Sequence, residues 1–195
     1  MKTIGITGGV GCGKSKILEY IKDNYNCRII IADDVANDIK EPGEACYQPL
    51  IDLLGEKILG EDNRIDKKKM ASTIFEDESL LKKVNDIIHP AVKDYILETI
   101  KTEKDKGKID YLFIEAALLI ECGYNSYVDE MWYIYAKESV RRERLKSSRG
   151  YSDEKIDSIM AAQLSEEGYR KGSDKCIDNS LKFENTVKQI KKLLG

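Results

Sequence analysis

Gly8-Gly9-Val10-Gly11-Cys12-Gly13-Lys14-Ser15 is the stretch that decides how this sequence folds. It fits the pattern G-x-x-x-x-G-K-[ST]. The apolar run Ile4-Gly5-Ile6 precedes it, and the helical spacing Ile17, Leu18, Tyr20, Ile21 follows it. Strand, glycine-rich loop and helix in that order are what the pattern needs in order to hold phosphate. Glycines let successive backbone N–H groups turn inward around phosphate oxygens, and the helix start adds positive potential there. The Lys14 ammonium can reach β- and γ-phosphates, and the Ser15 hydroxyl can ligate Mg²⁺. The expected nucleotide-binding set is Gly9, Gly11, Cys12, Gly13, Lys14, Ser15 and the backbone of Lys16, with Lys14 also serving the chemistry.

Outward from the loop, apolar runs at residues 28–32, 111–115, 131–136 and 175–178 join the one at 3–7, with helical patterns between them. Short apolar strands alternating with helices imply a parallel sheet covered on both faces. The expected fold class is therefore α/β, a P-loop NTPase-type domain with a five-stranded parallel sheet. The last helix fits. Phe183, Val187, Ile190 and Leu194 form one stripe, while Lys188, Lys191 and Lys192 face away. Two segments are too long for simple crossovers. The first, about residues 42–107, holds Pro42-Gly43 and helical patterns at 47–54, 67–75 and 79–101. His89-Pro90 marks a kink or a new helix start in the last of these. The second, about residues 138–172, carries Arg141, Arg142, Arg144, Lys146 and Arg149. The expectation is one domain of 195 residues with a helical insertion that closes over a substrate.

Composition narrows the function classes. Hydrophobic residues make up 42% and charged residues 34%, which allows an ordinary core and argues against disorder. With 32 basic and 35 acidic residues, the formal charge of −3 leaves no global basic field for nucleic acid or an anionic membrane. No apolar stretch approaches the roughly 20 residues of a membrane span. The five cysteines show no C-x-x-C spacing, which argues against a zinc site and a secreted disulfide framework. The opening apolar run is too short for a signal peptide. The expected location is cytoplasmic, with reduced thiols.

A phosphate loop alone leaves the reaction open. A guanine-reading N-K-x-D motif is absent, and neither Asp129-Glu130 nor Asp153-Glu154 ends an apolar run as a motor ATPase would require. A small-molecule kinase remains. Ile29-Ile30-Ile31-Ala32-Asp33-Asp34 places carboxylates at the end of the second run, and strand carboxyl ends face the ligand crevice of a parallel sheet. Asp33 there can take the proton of an attacking hydroxyl. Capping of the next helix by Asp33 or Asp34 is the alternative.

These elements together resemble the dephospho-CoA kinase family, over nearly the whole chain and in order. The carriers are Thr7 to Ser15, Ala32-Asp33-Asp34-Val35-Ala36, Pro42-Gly43, Leu54-Gly55-Glu56-Lys57-Ile58-Leu59, Ile65-Asp66-Lys67 and Ile87-Ile88-His89-Pro90. Further along come Ala117-Leu118-Leu119-Ile120-Glu121, Arg144 to Arg149 with one extra residue of spacing, Ala161-Ala162-Gln163, and the closing Asp174 to Asn179. The resemblance implies that ATP phosphorylates the ribose 3′-hydroxyl of dephospho-CoA. It implies Asp33 as base, Mg²⁺ as companion of ATP, a CoA-binding subdomain at about 42–106 and a lid after Lys137. Substrate contacts are implied for Asp33, His89, Leu119 and Glu121. The other candidates are a kinase of nucleoside monophosphates or small sugars, and a nucleotide-dependent regulator; Asp33 at a strand end argues against the regulator.

Several residues carry two readings. Lys16 stands where the family usually has Thr, and a cation in the first turn of a helix is unfavourable. Glu115 stands where Asp is frequent, and serves either an indirect Mg²⁺ contact or a structural hydrogen bond. His89 either touches substrate or forms a turn hydrogen bond. Among the arginines, Arg144 and Arg149 are the expected partners of the transferring phosphate, against a solvated helix face. Lys67-Lys68-Lys69 reads as exposed surface, and Trp132 and Tyr135 as strand core. Cys12, beside a helix start and the Lys14 ammonium, is expected to have a lowered pKa and raised reactivity. Its plainer reading is a small residue in a permissive loop position.

Overall fold

The computed structural model describes residues 1–195 apart from Ala117 and the side chains of Glu76 and Glu78. The resemblance drawn above through Ala117 therefore lies outside the described residues. Five parallel strands form one sheet in the order β2-β3-β1-β4-β5. They are β1 (Lys2–Thr7), β2 (Cys27–Ile31), β3 (Tyr111–Glu115), β4 (Glu130–Tyr135) and β5 (Lys175–Asp178). Every residue from Thr3 to Thr7 is buried, as a central strand covered on both faces should be. The strand bounds differ from the apolar runs by one residue at most. By contact, the chain divides into two compact units, Met1–Ile29 with Gly107–Gly195, and Ile30–Lys106.

In the first unit, α1 (Lys14–Asn24) buries Ile17, Leu18 and Ile21, and the C-terminal α9 (Phe183–Leu194) buries Thr186, Ile190 and Leu194. These close over Ile4, Ile6, Phe113, Trp132, Ile134 and Ile177. The α9 stripe holds Thr186 at its centre, where Val187 was expected. Its hydroxyl donates to Asn179 Oδ1 at 2.8 Å, so burial leaves no unpaired polar group there. Edge-to-face pairs Tyr20–Tyr25, Tyr25–Tyr111 and Phe113–Trp132, joined by a tilted Tyr111–Phe113 contact, run along one flank. Trp132 is wholly buried, and Tyr135 is half-buried.

The strands enter the sheet through two matching devices. Asp129 accepts from Thr3 N–H with its carboxylate at 2.7 Å and donates its own N–H to Thr3 O at 2.8 Å. Asp174 repeats the pattern on Met131, at 2.7 and 2.8 Å. Each carboxylate thus supplies the acceptor that a strand start lacks.

Between β4 and β5 lie α6 (Glu138–Arg149), α7 (Asp153–Ala161) and α8 (Glu166–Lys171). Ser152 caps α7 through Lys155 N–H, and Ser165 caps α8 through Gly168 N–H.

The second unit is helical beyond the end of β2. It holds α2 (Ala32–Asp38), α3 (Tyr47–Leu54), α4 (Lys67–Glu76) and α5 (Glu78–Lys106). Val35, Ile39, Leu50, Leu54, Ile58, Met70, Val84, Val92, Ile96 and Ile100 are buried. Asp66 caps α4 by accepting from Lys68 and Lys69 N–H, and those bonds hold its carboxyl below the usual range. No new helix starts at His89-Pro90. α5 runs through Pro90 as one helix of 29 residues. An internal proline costs about 3 kcal/mol. The stripe Val84, Val92, Ile96 and Ile100 continues across it, and burying each such side chain contributes about 1.5–3 kcal/mol. Packing therefore outweighs the lost bond. Among the described residues, no helix is long and apolar enough to cross a membrane. All five cysteines are free thiols.

Candidate active site

The phosphate loop joins β1 to α1. Gly13 is the residue before α1, at φ 92° and ψ 27°, and no side chain caps the helix. The first-turn N–H groups of Lys14, Ser15 and Lys16 therefore have no capping acceptor, which is the arrangement an anion needs. The loop carbonyls are held by other parts of the unit. Asn179 Nδ2 donates to Cys12 O at 2.8 Å. Arg144 Nη1 donates to Cys12 O at 3.2 Å and Gly11 O at 3.4 Å, while its Nη2 donates to Asn179 O at 2.8 Å. Arg141 Nε donates to Val10 O at 2.8 Å. Because C=O and N–H of a peptide unit point in opposite directions, anchoring the carbonyls on one side presents the N–H groups on the other.

Lys14 folds back over its own loop. Its Nζ donates to Gly8 O at 2.7 Å and sits 3.5 Å from Glu115 Oε1. Both side chains are largely buried, so the ammonium is positioned before any ligand arrives. Glu115 ends β3 and Ser15 lies exposed in the first turn of α1. Lys16 places its ammonium 4.5 Å from the centre of the Phe183 ring. That cation–π contact offsets the unfavourable position of a cation in the first helical turn.

Three expectations need correction. Cys12 is not an activated thiol. It is 1% exposed, and burial pushes its pKa up, against the smaller opposing influence of Lys14. Its sulfur lies beneath the loop, 3.1 Å from where a Cβ on Gly8 would stand. Leu119, expected at substrate, has its side chain wholly buried, which leaves only its backbone for such a contact, while its neighbour Leu118 is 48% exposed. Arg149 does not reach the loop. It is exposed at the end of α6, with its guanidinium 5.9 Å from the Tyr151 ring. Eight residues separate it from Arg141, about 12 Å along a helix. Glu121 is also exposed.

Asp33 and His89 belong to the second unit, and both are exposed. Asp33 lies in the first turn of α2, whose N-cap is Ile31 with no side-chain cap bond. The capping alternative for Asp33 and Asp34 therefore fails. His89 sits inside α5, so it forms no turn.

Three residues at the loop were not singled out as site residues from sequence. Asn179 and Gln163 stood within quoted motifs, but a motif names no partner. Gln163 Oε1 accepts from Val10 N–H at 3.2 Å and from Arg141 Nη2 at 2.8 Å. Arg141 stood in the same basic run as Arg142, Arg144 and Arg149. Buried Leu145 lies four residues from both Arg141 and Arg149, so it is the hydrogen bond to Val10 O, and not helical phase alone, that separates them. Arg142 spends its charge on Glu138 and Asp157.

Strand order, loop geometry and cationic flank together define a P-loop kinase. A profile of the dephospho-CoA kinase family matches residues 2–185. A dephospho-CoA kinase of Carboxydothermus hydrogenoformans is 37% identical over 191 residues, covering 98% of this chain and 92% of its own. One from Aquifex aeolicus is 35% identical over 194 residues, with 99% and 96% covered. The chain belongs to the dephospho-CoA kinase family. Among solved structures, a Thermus thermophilus protein superposes with a TM-score of 0.80 at 26% identity, covering 99% of this chain and 96% of that one. A shikimate kinase from Acinetobacter baumannii, at 11% identity and a TM-score of 0.53, covers 99% and 92% and shares the fold.

Proposed function

We infer that this chain transfers the γ-phosphate of ATP to the ribose 3′-hydroxyl of dephospho-CoA, giving CoA and ADP. The observation that carries this reading is the family match over residues 2–185 on a chain whose phosphate loop is intact and pre-shaped. Lys14 and the N–H groups at the start of α1 bind the β- and γ-phosphates. Ser15, exposed in the first turn of α1, and Glu115, 3.5 Å from Lys14 Nζ, offer oxygen donors of the kind that suits Mg²⁺. When bound, Mg²⁺ neutralises charge on the β- and γ-oxygens.

Asp33 is the base. It is exposed, it follows a strand end, and it does not cap α2. It orients the acceptor hydroxyl and takes its proton as the oxygen attacks the γ-phosphorus. The helical segment at about 42–107, with His89, holds the CoA portion. The segment at about 138–172 acts as a lid that excludes water during transfer. The setting is cytoplasmic. The net charge of −3 gives the protein no general affinity for nucleic acid.

The test is a coupled assay of ADP release with dephospho-CoA, AMP, CMP and a panel of sugars. Dephospho-CoA should be the preferred acceptor by on the order of a hundredfold or more in kcat/KM. A faster reaction with AMP or a sugar would overturn the reading. Limited proteolysis across residues 141–151 should slow when both substrates are present, and equal cleavage with and without them would remove the lid assignment.

A further inference from the structure

The Arg141 guanidinium lies flat against the phosphate loop. A Cβ on Gly9 would stand 2.4 Å from its Nη2, 2.6 Å from its Cζ and 2.9 Å from its Nη1. A side chain at position 9 would displace this group. The cation is held only by neutral oxygens among the described residues, the Val10 carbonyl and the Gln163 amide. Arg142, next in sequence, is by contrast paired with carboxylates. Nη1 of Arg141 has no acceptor among the described residues. A half-buried cation with free donors, set on a phosphate loop, is incomplete without an anion.

Gln163 shows where that anion would sit. Its Oε1 accepts at once from a loop N–H and from the arginine. Those are the two kinds of donor that a phosphoryl oxygen requires. We propose that Arg141 is the catalytic cation of the transferring phosphoryl group, and that Gln163 is a positioning residue whose amide oxygen stands in for a phosphoryl oxygen until nucleotide arrives. ATP binding displaces Oε1 from Val10 N–H, and both donors pass to the phosphate. As the acceptor oxygen bonds to the γ-phosphorus, the bond to the bridging oxygen breaks and the hydroxyl proton goes to the base. Charge then grows on oxygens facing Nη1 and Nη2, and Arg141 stabilises it without itself giving up a proton. This assigns the role that sequence gave to Arg144 and Arg149 to the arginine beside Val10. It rests on the kinase reading above.

The experiment compares wild type, Arg141→Ala and Gln163→Glu for Mg-ADP affinity, turnover with dephospho-CoA and slow ATP hydrolysis without acceptor. Arg141→Ala should keep Mg-ADP affinity within about threefold while both reactions fall by on the order of a hundredfold or more. Added guanidinium should restore part of the rate to Arg141→Ala and none to Lys14→Ala. Gln163→Glu should hold Arg141 in an ion pair, lowering both rates while Mg-ADP still binds. Two results overturn the proposal: near-normal rates in Arg141→Ala, or a loss of Mg-ADP affinity in that variant as large as its loss of rate, which would make Arg141 a brace. The hydrolysis arm needs no acceptor. Failure of wild type to use dephospho-CoA would therefore count against the acceptor assignment alone.

Discussion

Gly13→Ala puts the geometry of the phosphate loop to a quantitative test. Two separate costs arise. At φ 92° the backbone is left-handed, and a residue with a Cβ pays about 1–3 kcal/mol there. The new methyl would also stand 2.4 Å from Asn179 Nδ2, at least 1 Å inside ordinary contact. Asn179 is 3% exposed and its amide is bonded to Cys12 O at 2.8 Å, so the side chain cannot withdraw without breaking a buried hydrogen bond. Leaving such a donor unsatisfied costs about 1–3 kcal/mol. The expected total is about 4 kcal/mol, which for a chain of this size lowers Tm by roughly 8–16 °C. Calorimetry of Gly13→Ala, Asn179→Ala and the double variant separates the two costs. In the Asn179→Ala background the steric part should vanish and only the backbone part should remain. A Gly13→Ala cost under about 1 kcal/mol, or one that is the same in both backgrounds, would refute the reasoning.

Asp33→Asn should reduce turnover by on the order of a hundredfold while ATP affinity is kept, and near-normal turnover would move the base elsewhere. Lys14→Ala should weaken both nucleotide binding and turnover, whereas Ser15→Ala should chiefly shift the Mg²⁺ titration to higher concentration; an unchanged titration would exclude Ser15 as a ligand. Peptide mapping after brief alkylation should find exposed Cys122 and Cys176 modified well before buried Cys12, and early labelling of Cys12 would contradict its burial. Tyr169, buried and stacked on Tyr133 at 5.0 Å, has its pKa pushed up to about 12 by burial. Unfolded tyrosine ionises near about 10, so stability should be full below that pH and fall as pH rises through about 12. Phenolate absorbance and denaturant midpoints across that range should move together, and a midpoint unchanged to pH 12 would sink the linkage.

Most of the fold was readable because the signals were local. The strands show as short apolar runs, clearest in the buried central ones, and all five were found within a residue. The loop was readable because its glycines and Lys14-Ser15 do their work through their own backbone and their own charge. Asp33 was legible as an acid after a strand, although only the structure showed that it does not cap α2. What sequence did not settle depends on partners far along the chain. Arg141 and Gln163 meet Val10 across 131 and 153 residues, and no spacing rule covers that distance. Cys12 failed for a related reason. Its neighbours in sequence favour a thiolate, and burial, which sequence does not display at a loop, outweighs them. At Pro90 the new helix start that sequence allowed did not occur, because a proline's effect depends on what is packed around it.

The paired aspartates at the strand entrances bear on how the sheet assembles. Thr3 meets Asp129 across 126 residues, and Met131 meets Asp174 across 43. Each contact joins a side chain and a backbone group of one residue to the two backbone groups of another, so it closes at a single alignment only. A strand that slid by two residues would keep its side chains on the correct faces and nearly all of its apolar contacts. It would lose this two-point grip and leave a carboxylate facing an unmatched ladder. Apolar packing tolerates that kind of slippage, and the aspartates do not. They act as register checks at the edge of the sheet opposite the phosphate loop. Errors in threading β4 and β5 are thereby penalised at the start of each strand, before they can displace the loop that the far end of β1 carries.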